Sequence, residues 1–363
     1  MTEFFLPELP RLLPVAYHPK ATQIEIRSNG WVRGQLGTCF AREDDLLLFL
    51  RQRNGLYGPL TVPHADEQRA LDVTDWYQYV TVIDSSVSDR SSLGADEADA
   101  RVVFADIMDD FRSNRDAPGD LPYSRAGQDL WRRISPGFSR AQIQRFADAL
   151  ESFLRGCATE IGFKQADRVP DYETCMAIRM DSFGCQFIRL MTEYAADVDM
   201  TGHETLLADV HMHGMRQMIL VNDLLSWRKE HAQGDKMTLV RVFIEREGLL
   251  LQQAIDGLCE LVEHHESAYL AARDQLLHGP HGSRADIRRY LSGLDHLIGG
   301  SQEFEYLTPR YFGDGYVWDG STSGWLSLTA PVTRFRPRPG GDTDPHISAA
   351  GSTDQSVPSL TRG

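Results

Sequence analysis

The sequence predicts an all-α fold, a single-domain helical bundle, on three observations. From about Glu43 to Tyr311, nearly every segment places apolar residues at steps of three and four, the period of a helix with one buried face. Only one stretch, TQIEIRS from Thr22, alternates with the period of a strand. No internal repeat and no Gly-rich phosphate loop is present, which argues against a Rossmann or P-loop enzyme.

Taken in order, residues 1–30 form a Pro-rich entry in which TQIEIRS is expected to be a short lid strand. A helical domain is expected over residues 31–320. EDDLLLFLRQRN from Glu43, RALDVTDWYQYVTVI from Arg69 and SRAQIQRFADALESFLRGCATEI from Ser139 are amphipathic. Ser139 suits an N-cap, because its hydroxyl can accept from free amides of the first turn. DYETCMAIRMDSFGCQFIRLMTEYAADV and HETLLADVHMHGMRQMILVNDLLSWRKEH are apolar on more than one side, as central helices of a bundle are. Length alone suggests two domains, yet no linker divides the chain. From Arg334 to Gly363, Pro, Gly, Ser and Thr replace large apolar residues, a composition too poor in burial to offset the entropy of ordering, so residues 334–363 are expected to be a disordered tail.

A formal charge of −15, from 37 basic and 52 acidic residues, argues against a nucleic-acid groove, which needs a basic stripe. No apolar run approaches the ~20 residues of a membrane span, so no stable membrane insertion is expected. The N-terminus lacks a basic region ahead of its apolar residues, unlike a signal peptide, and a cytoplasmic protein is expected. Five cysteines without C-x-x-C spacing suit reduced, mostly buried thiols better than a disulfide framework.

In VNDLLSWRKEHAQGD, residues Asn222, Ser226 and Glu230 stand at i, i+4 and i+8. On a helix they drift by only ~40° per step, so an amide oxygen, a hydroxyl and a carboxylate line one face. Such hard oxygen donors suit Mg²⁺, which keeps several positions for water and phosphate oxygens. The polar face of a surface helix could carry the same three residues, but the preceding MRQMILV points to a buried helix whose polar groups need partners. The pattern resembles the N-D-x-x-S-x-x-x-E metal motif of class I terpene synthases, with Lys229 beside it.

The resemblance extends along the chain from about residue 5 to 315. DWYQYVTVIDSSVSDR stands where that family carries an Asp-rich motif. Here Ser85 replaces the second aspartate, and Asp84 and Asp89 lie ~140° apart on an ideal helix. Asp84 is therefore expected to be the bridging metal ligand and Asp89 to sit nearer the rim. A rival, ADIMDDFR, puts Asp106, Asp109 and Asp110 at i, i+3 and i+4, on one helical face, but it follows the position the family uses. In CMAIRMDSFG, Arg179 sits among apolar neighbours, where an unpaired guanidinium would be costly. A core salt bridge could satisfy it. By the resemblance, R-x-x-S-x-G is a diphosphate-sensing element with Arg179 as sensor, Ser182 as linker and the carbonyl of Phe183, freed near Gly184, as effector. Arg310 and Tyr311 resemble the terminal Arg-Tyr pair that closes over the diphosphate.

The resemblance implies a helical bundle with a central active-site cavity. It also implies an enzyme that ionises a linear prenyl diphosphate, C15 farnesyl or C20 geranylgeranyl, with about three Mg²⁺ ions drawing charge from the leaving group. The metals would be held by Asp84, Asp89, Asn222, Ser226 and Glu230. The diphosphate would be held by Arg179, Lys229, Arg310 and Tyr311. Aromatic faces stabilise a carbocation by cation–π attraction, and Trp76, Tyr77, Phe183 and Trp227 are candidates alongside a plain core role. A homodimer is left open. Two alternatives stand beside this reading. One is a chain-elongating prenyl diphosphate synthase, which would carry a second Asp-rich motif in place of the triad; the other is a non-catalytic helical protein derived from the fold.

Overall fold

The computed structural model describes residues 2–85, 97–112 and 122–338. In chain order the elements are β1 (Glu3–Leu6), α1 (Ala21–Trp31), α2 (Glu43–Arg51), α3 (Tyr57–Thr61), α4 (Glu67–Asp84) and α5 (Glu97–Arg112). Then come α6 (Pro122–Ile134), α7 (Arg140–Gln165), α8 (Tyr172–Ser182), α9 (Cys185–Ala196) and α10 (Ala208–Gln233). The chain closes with α11 (Leu239–Glu245), α12 (Leu251–His278), α13 (Ala285–Leu307), α14 (Pro309–Phe312) and β2 (Gly324–Ser327). The all-α bundle is as the periodicity predicts, and α10 runs through its centre. Met215, Met218, Ile219, Leu220, Val221, Leu224 and Leu225 on that helix are each 2 % exposed or less, because α12, α13 and α14 pack against it.

Local chemistry explains the element ends that matter for the cavity. Ser139 caps α7 in a reciprocal box: its Oγ accepts from Gln142 N at 3.1 Å and its own N donates to Gln142 Oε1 at 3.0 Å. The long apolar stretch around Arg179 is two helices, broken at Phe183 and Gly184. Gly184 has φ +76° and a Cβ there would lie 2.0 Å from the Phe187 ring, so only glycine fits this junction. Gly156 in turn lets α7 approach α8, since a Cβ would lie 2.5 Å from Ser182 N.

Two expectations need correction. TQIEIRS is helical, within α1. Its apparent alternation came from Ile24 and Ile26, but Ile24 is buried while Ile26 is 65 % exposed. The buried face runs through Ile24, Glu25 and Ser28, with Glu25 held by Arg53 at 2.8 Å and 3.0 Å. Strand structure occurs instead at β1, within the Pro-rich entry, paired antiparallel to β2 with Glu3 opposite Ser327 and Leu6 opposite Gly324. Gln252 of α12 bonds both backbone groups of Phe5 at 2.8 Å, tying this ribbon to the bundle. The tail expected from Arg334 does not begin there. Phe335 is 3 % exposed, packing on Phe312 and Tyr316, and Arg336 pairs with Trp325 of β2 and with Glu3. The rest of that expected tail, from residue 339, lies outside the described residues.

Candidate active site

The spacing of α4 aims one stripe into a cavity: Tyr77, Val80, Thr81 and Asp84, at i, i+3, i+4 and i+7, all line it. Asp84, in the last turn, meets Arg310 of α14, which donates to Asp84 Oδ2 at 3.1 Å and to Ser85 Oγ at 2.9 Å. The serine that replaces the second aspartate is thus an acceptor for the expected closing arginine. Asp89 lies outside the described residues.

Across the cavity, α10 presents the triad. Ser226 Oγ lies 2.7 Å from Glu230 Oε1 and 2.5 Å from the backbone carbonyl of Asn222. Asn222 Nδ2 donates to Glu305 at 3.1 Å and to Tyr311 OH at 3.2 Å, while its Oδ1 accepts from Arg179 at 2.9 Å. Glu230 Oε2 is shut off from solvent without a hydrogen-bond partner among the described residues, a buried carboxylate oxygen whose cost a cation would remove. The donor set of amide, hydroxyl and carboxylate oxygens fits a hard divalent ion. Asn222, Glu230 and Lys229 line the cavity, and buried Ser226 is not among its lining residues.

Arg179 sits at the hub. Besides Asn222 it donates to Asp223 Oδ1 at 2.5 Å and lies 3.7 Å from Glu160, and its buried Nε has no partner among the described residues. Burial works against its charge, but the carboxylates of Asp223, Glu160 and Glu230 outweigh that and keep it firmly protonated. Ser182, one turn on, donates to Glu160, and the Phe183 ring lies 5.8 Å from the Arg179 guanidinium. Arg179, Ser182, Phe183, Arg310 and Tyr311 all line the same cavity, so residues from 84 to 311 meet there.

The aromatic candidates divide. Tyr77 and Phe183 line the cavity, joined by Tyr57, Phe153, Phe187 and Phe304, none of which spacing alone singled out. Trp76 is fully buried against Phe111, Phe146 and Phe187, one position off the cavity stripe. Trp227 is 2 % exposed and packs on His231 and Arg241. Both tryptophans are core. Four acidic residues were missed, among them Asp235, which also lines the cavity. Glu160 and Glu305 line the cavity and Asp223 anchors Arg179; for these three, a charged residue inside an otherwise apolar helix was the available signal.

The rival acidic helix does not reach the cavity, and its three aspartates do not share an environment. Asp110 is buried, Asp109 exposed and Asp106 between them, because the 100° step from 109 to 110 crosses the edge of the buried face of α5. Asp84→Ala is therefore expected to lower turnover by at least about 100-fold and Asp109→Ala to leave it within a factor of about two; steady-state kinetics with both variants checks the order.

Desolvation pushes the Glu230 carboxyl up to about 8, with the nearby Asp223 charge adding to it. It likewise raises Glu160 and Glu305 to about 7. The unfolded chain releases the Glu230 proton near the ordinary value of 4.5 and the folded chain only near 8, so without divalent cations folding takes up a proton and stability falls as pH rises between those values. Glu230→Gln removes that penalty. Its melting temperature in EDTA is expected to gain on the wild type as pH rises from 5 to 8; a flat or shrinking difference contradicts the assigned environment.

Residues 75–267 match the family model described as terpene synthase family 2, C-terminal metal binding. The alpha-muurolene synthase of Coprinopsis cinerea is 25 % identical over 323 residues, 86 % of this chain and 74 % of that protein. The 10-epi-cubebol synthase of Sorangium cellulosum is 27 % identical over 303 residues, 81 % and 94 % of the two chains. The fold is shared with the crystal structure of linalool/nerolidol synthase from Streptomyces clavuligerus in complex with 2-fluorogeranyl diphosphate, at TM-score 0.71 and 20 % identity over 80 % of this chain and 100 % of that one. Among the described residues no helix is long and apolar enough to cross a membrane. With the family model matched over more than half of its length, the chain belongs to terpene synthase family 2 and is a metal-binding class I terpene synthase, a lyase acting on a prenyl diphosphate.

Proposed function

We propose that this enzyme is a sesquiterpene synthase that ionises C15 farnesyl diphosphate with Mg²⁺ and cyclises the cation. The observation that carries this reading is one cavity with two kinds of lining. Polar and charged side chains from Asp84, Arg179, Asn222, Lys229, Glu230 and Arg310 and the rings of Tyr57, Tyr77, Phe153, Phe183, Phe187 and Phe304 line the same space. The C15 chain length is supported by relatives such as the sesquiterpene synthase Agr3 of Cyclocybe aegerita, 25 % identical over 86 % of this chain. The net charge and the free cysteines support a cytoplasmic setting.

In this reading Asp84, Asn222, Ser226 and Glu230 hold the metal. Mg²⁺ bound there supplies Lewis-acid stabilisation of the diphosphate as it leaves. Arg179 and Arg310 donate charge-assisted hydrogen bonds to its oxygens, for which Arg310 exchanges Asp84 and Arg179 shares or exchanges Asp223. Tyr311, bonded to Asn222, joins α14 to the triad, so that closure at the Arg-Tyr pair is felt at the metal ligands. The rings exclude water and offer π faces to the migrating positive charge.

Purified protein incubated with Mg²⁺ and each of the C10, C15, C20 and C25 diphosphates, followed by analysis of the organic extract, tests the proposal. A terpene is expected from the C15 substrate, lost with EDTA. Preference for C20 would move the enzyme to diterpene synthesis, and no product from any substrate would favour a non-catalytic member of the family.

A further inference from the structure

On the side of α10 away from the cavity, three histidines converge. His213 of α10 and His264 and His265 of α12 bring one ring nitrogen each to within 4.8 Å of one another. His213 Nδ1 and His265 Nδ1 are 2.9 Å apart, and the ring centroids of the three lie 5.0–6.0 Å from each other. His213 precedes Asn222 by nine residues, which is two and a half turns, so the two side chains leave α10 on opposite faces and ~13 Å apart along its axis. The cluster is separate from the oxygen site in position and in chemistry.

We propose that His213, His264 and His265 form a second metal site, for a borderline transition-metal dication such as Zn²⁺, that clamps α10 to α12. Imidazole nitrogens suit Zn²⁺, Ni²⁺, Cu²⁺ and Co²⁺, whereas Mg²⁺ takes oxygen ligands. Three nitrogens at Zn–N distances of about 2.0–2.1 Å leave a fourth position for water. The 2.9 Å pair is already near the separation such an ion imposes. His264 is exposed, so its ring can swing in and the ion has a path from solvent, while buried His265 fixes the base of the site. The surrounding charge is mixed: Asp209 stands one turn before His213, and Arg216, near the same ring, pairs with Glu173 at 3.8 Å. Since α10 carries the triad on its other face, the clamp stabilises the helix that presents the catalytic metal ligands. This inference does not depend on the substrate assignment.

The full-length protein, stripped with EDTA and re-equilibrated in excess Mg²⁺ to fill the oxygen site, is titrated with Zn²⁺ by calorimetry. One Zn²⁺ per chain is expected, with a rise in melting temperature. His213→Ala and His264→Gln are expected to bind at least about tenfold more weakly, given that even supporting residues of metal sites are worth 10–100-fold, and to keep Mg²⁺-dependent turnover. His264 is exposed, so His264→Gln decides the matter even if His213→Ala folds poorly. No Zn²⁺ binding, equal affinity in the histidine variants, or loss of binding in Glu230→Ala instead, would each overturn the proposal.

Discussion

Asn222→Ala and Glu230→Ala are each expected to lower turnover by at least about 10²–10³-fold, the scale seen when one preorganised electrostatic contact to a transition state is removed. The two variants should then part in stability. The Asn222 side chain serves three groups at once: it accepts from Arg179 and donates to Glu305 and Tyr311. Removing its side chain leaves buried partners unsatisfied, at a cost of about 1–3 kcal/mol. Glu230 offers one bond, from Ser226, and carries an orphaned oxygen, so its loss costs folding little. Far-UV circular dichroism should stay native in both, with a lower melting temperature only for Asn222→Ala. Full activity in either variant would remove that residue from the site.

Arg179→Lys carries the second large effect. The Arg179 fork reaches Asn222 and Asp223 from one nitrogen and faces Glu160 with the other; an ammonium keeps the charge but cannot reproduce that spread or a two-pronged bond to phosphate oxygens. The Arg179–Asp223 ion pair shows that a core role exists, and some loss of thermal stability in Arg179→Lys follows from it. If the same residue also holds the leaving diphosphate, kcat should fall by about 100-fold while KM changes by less than about fivefold, because the lost contact strengthens as charge develops. The melting-temperature rise on adding Mg²⁺ and pyrophosphate should shrink as well. A purely structural arginine predicts lower stability, wild-type kcat and an undiminished ligand-induced rise.

Long-range order in this chain was legible where a period or a spacing encodes it. The i, i+4, i+8 run of Asn222, Ser226 and Glu230 and the capping box at Ser139 required only helical geometry. Residues that meet through tertiary packing were not legible in the same way. Whether Trp76 or Tyr77 faces the cavity turns on a single 100° step, which composition cannot resolve, and Phe153, Phe187 and Phe304 reach the cavity from three separate helices. TQIEIRS misled because two isoleucines two apart mimic a strand, while the partner of buried Glu25 is Arg53, distant in sequence. β1 was hidden for a related reason: its four residues pair with a strand over 300 positions away, a contact no local pattern records. The Arg310–Ser85 bond gives the degenerate Asp-rich motif a physical role that sequence alone presented only as a defect.

The central claim is that Asp84 and the Asn222, Ser226 and Glu230 triad hold the divalent ions while Arg179 and Arg310 hold the diphosphate between them. Crystals of the enzyme grown with Mn²⁺ and pyrophosphate test it directly, since anomalous scattering locates manganese without reference to any assigned role. The account predicts anomalous peaks at coordination distance from Asp84 on one wall and from the triad on the other, with both arginines on the pyrophosphate and Arg310 withdrawn from Asp84. Manganese on Asp106, Asp109 or Asp110, or a cavity that binds pyrophosphate without metal at Asp84 or the triad, would contradict it.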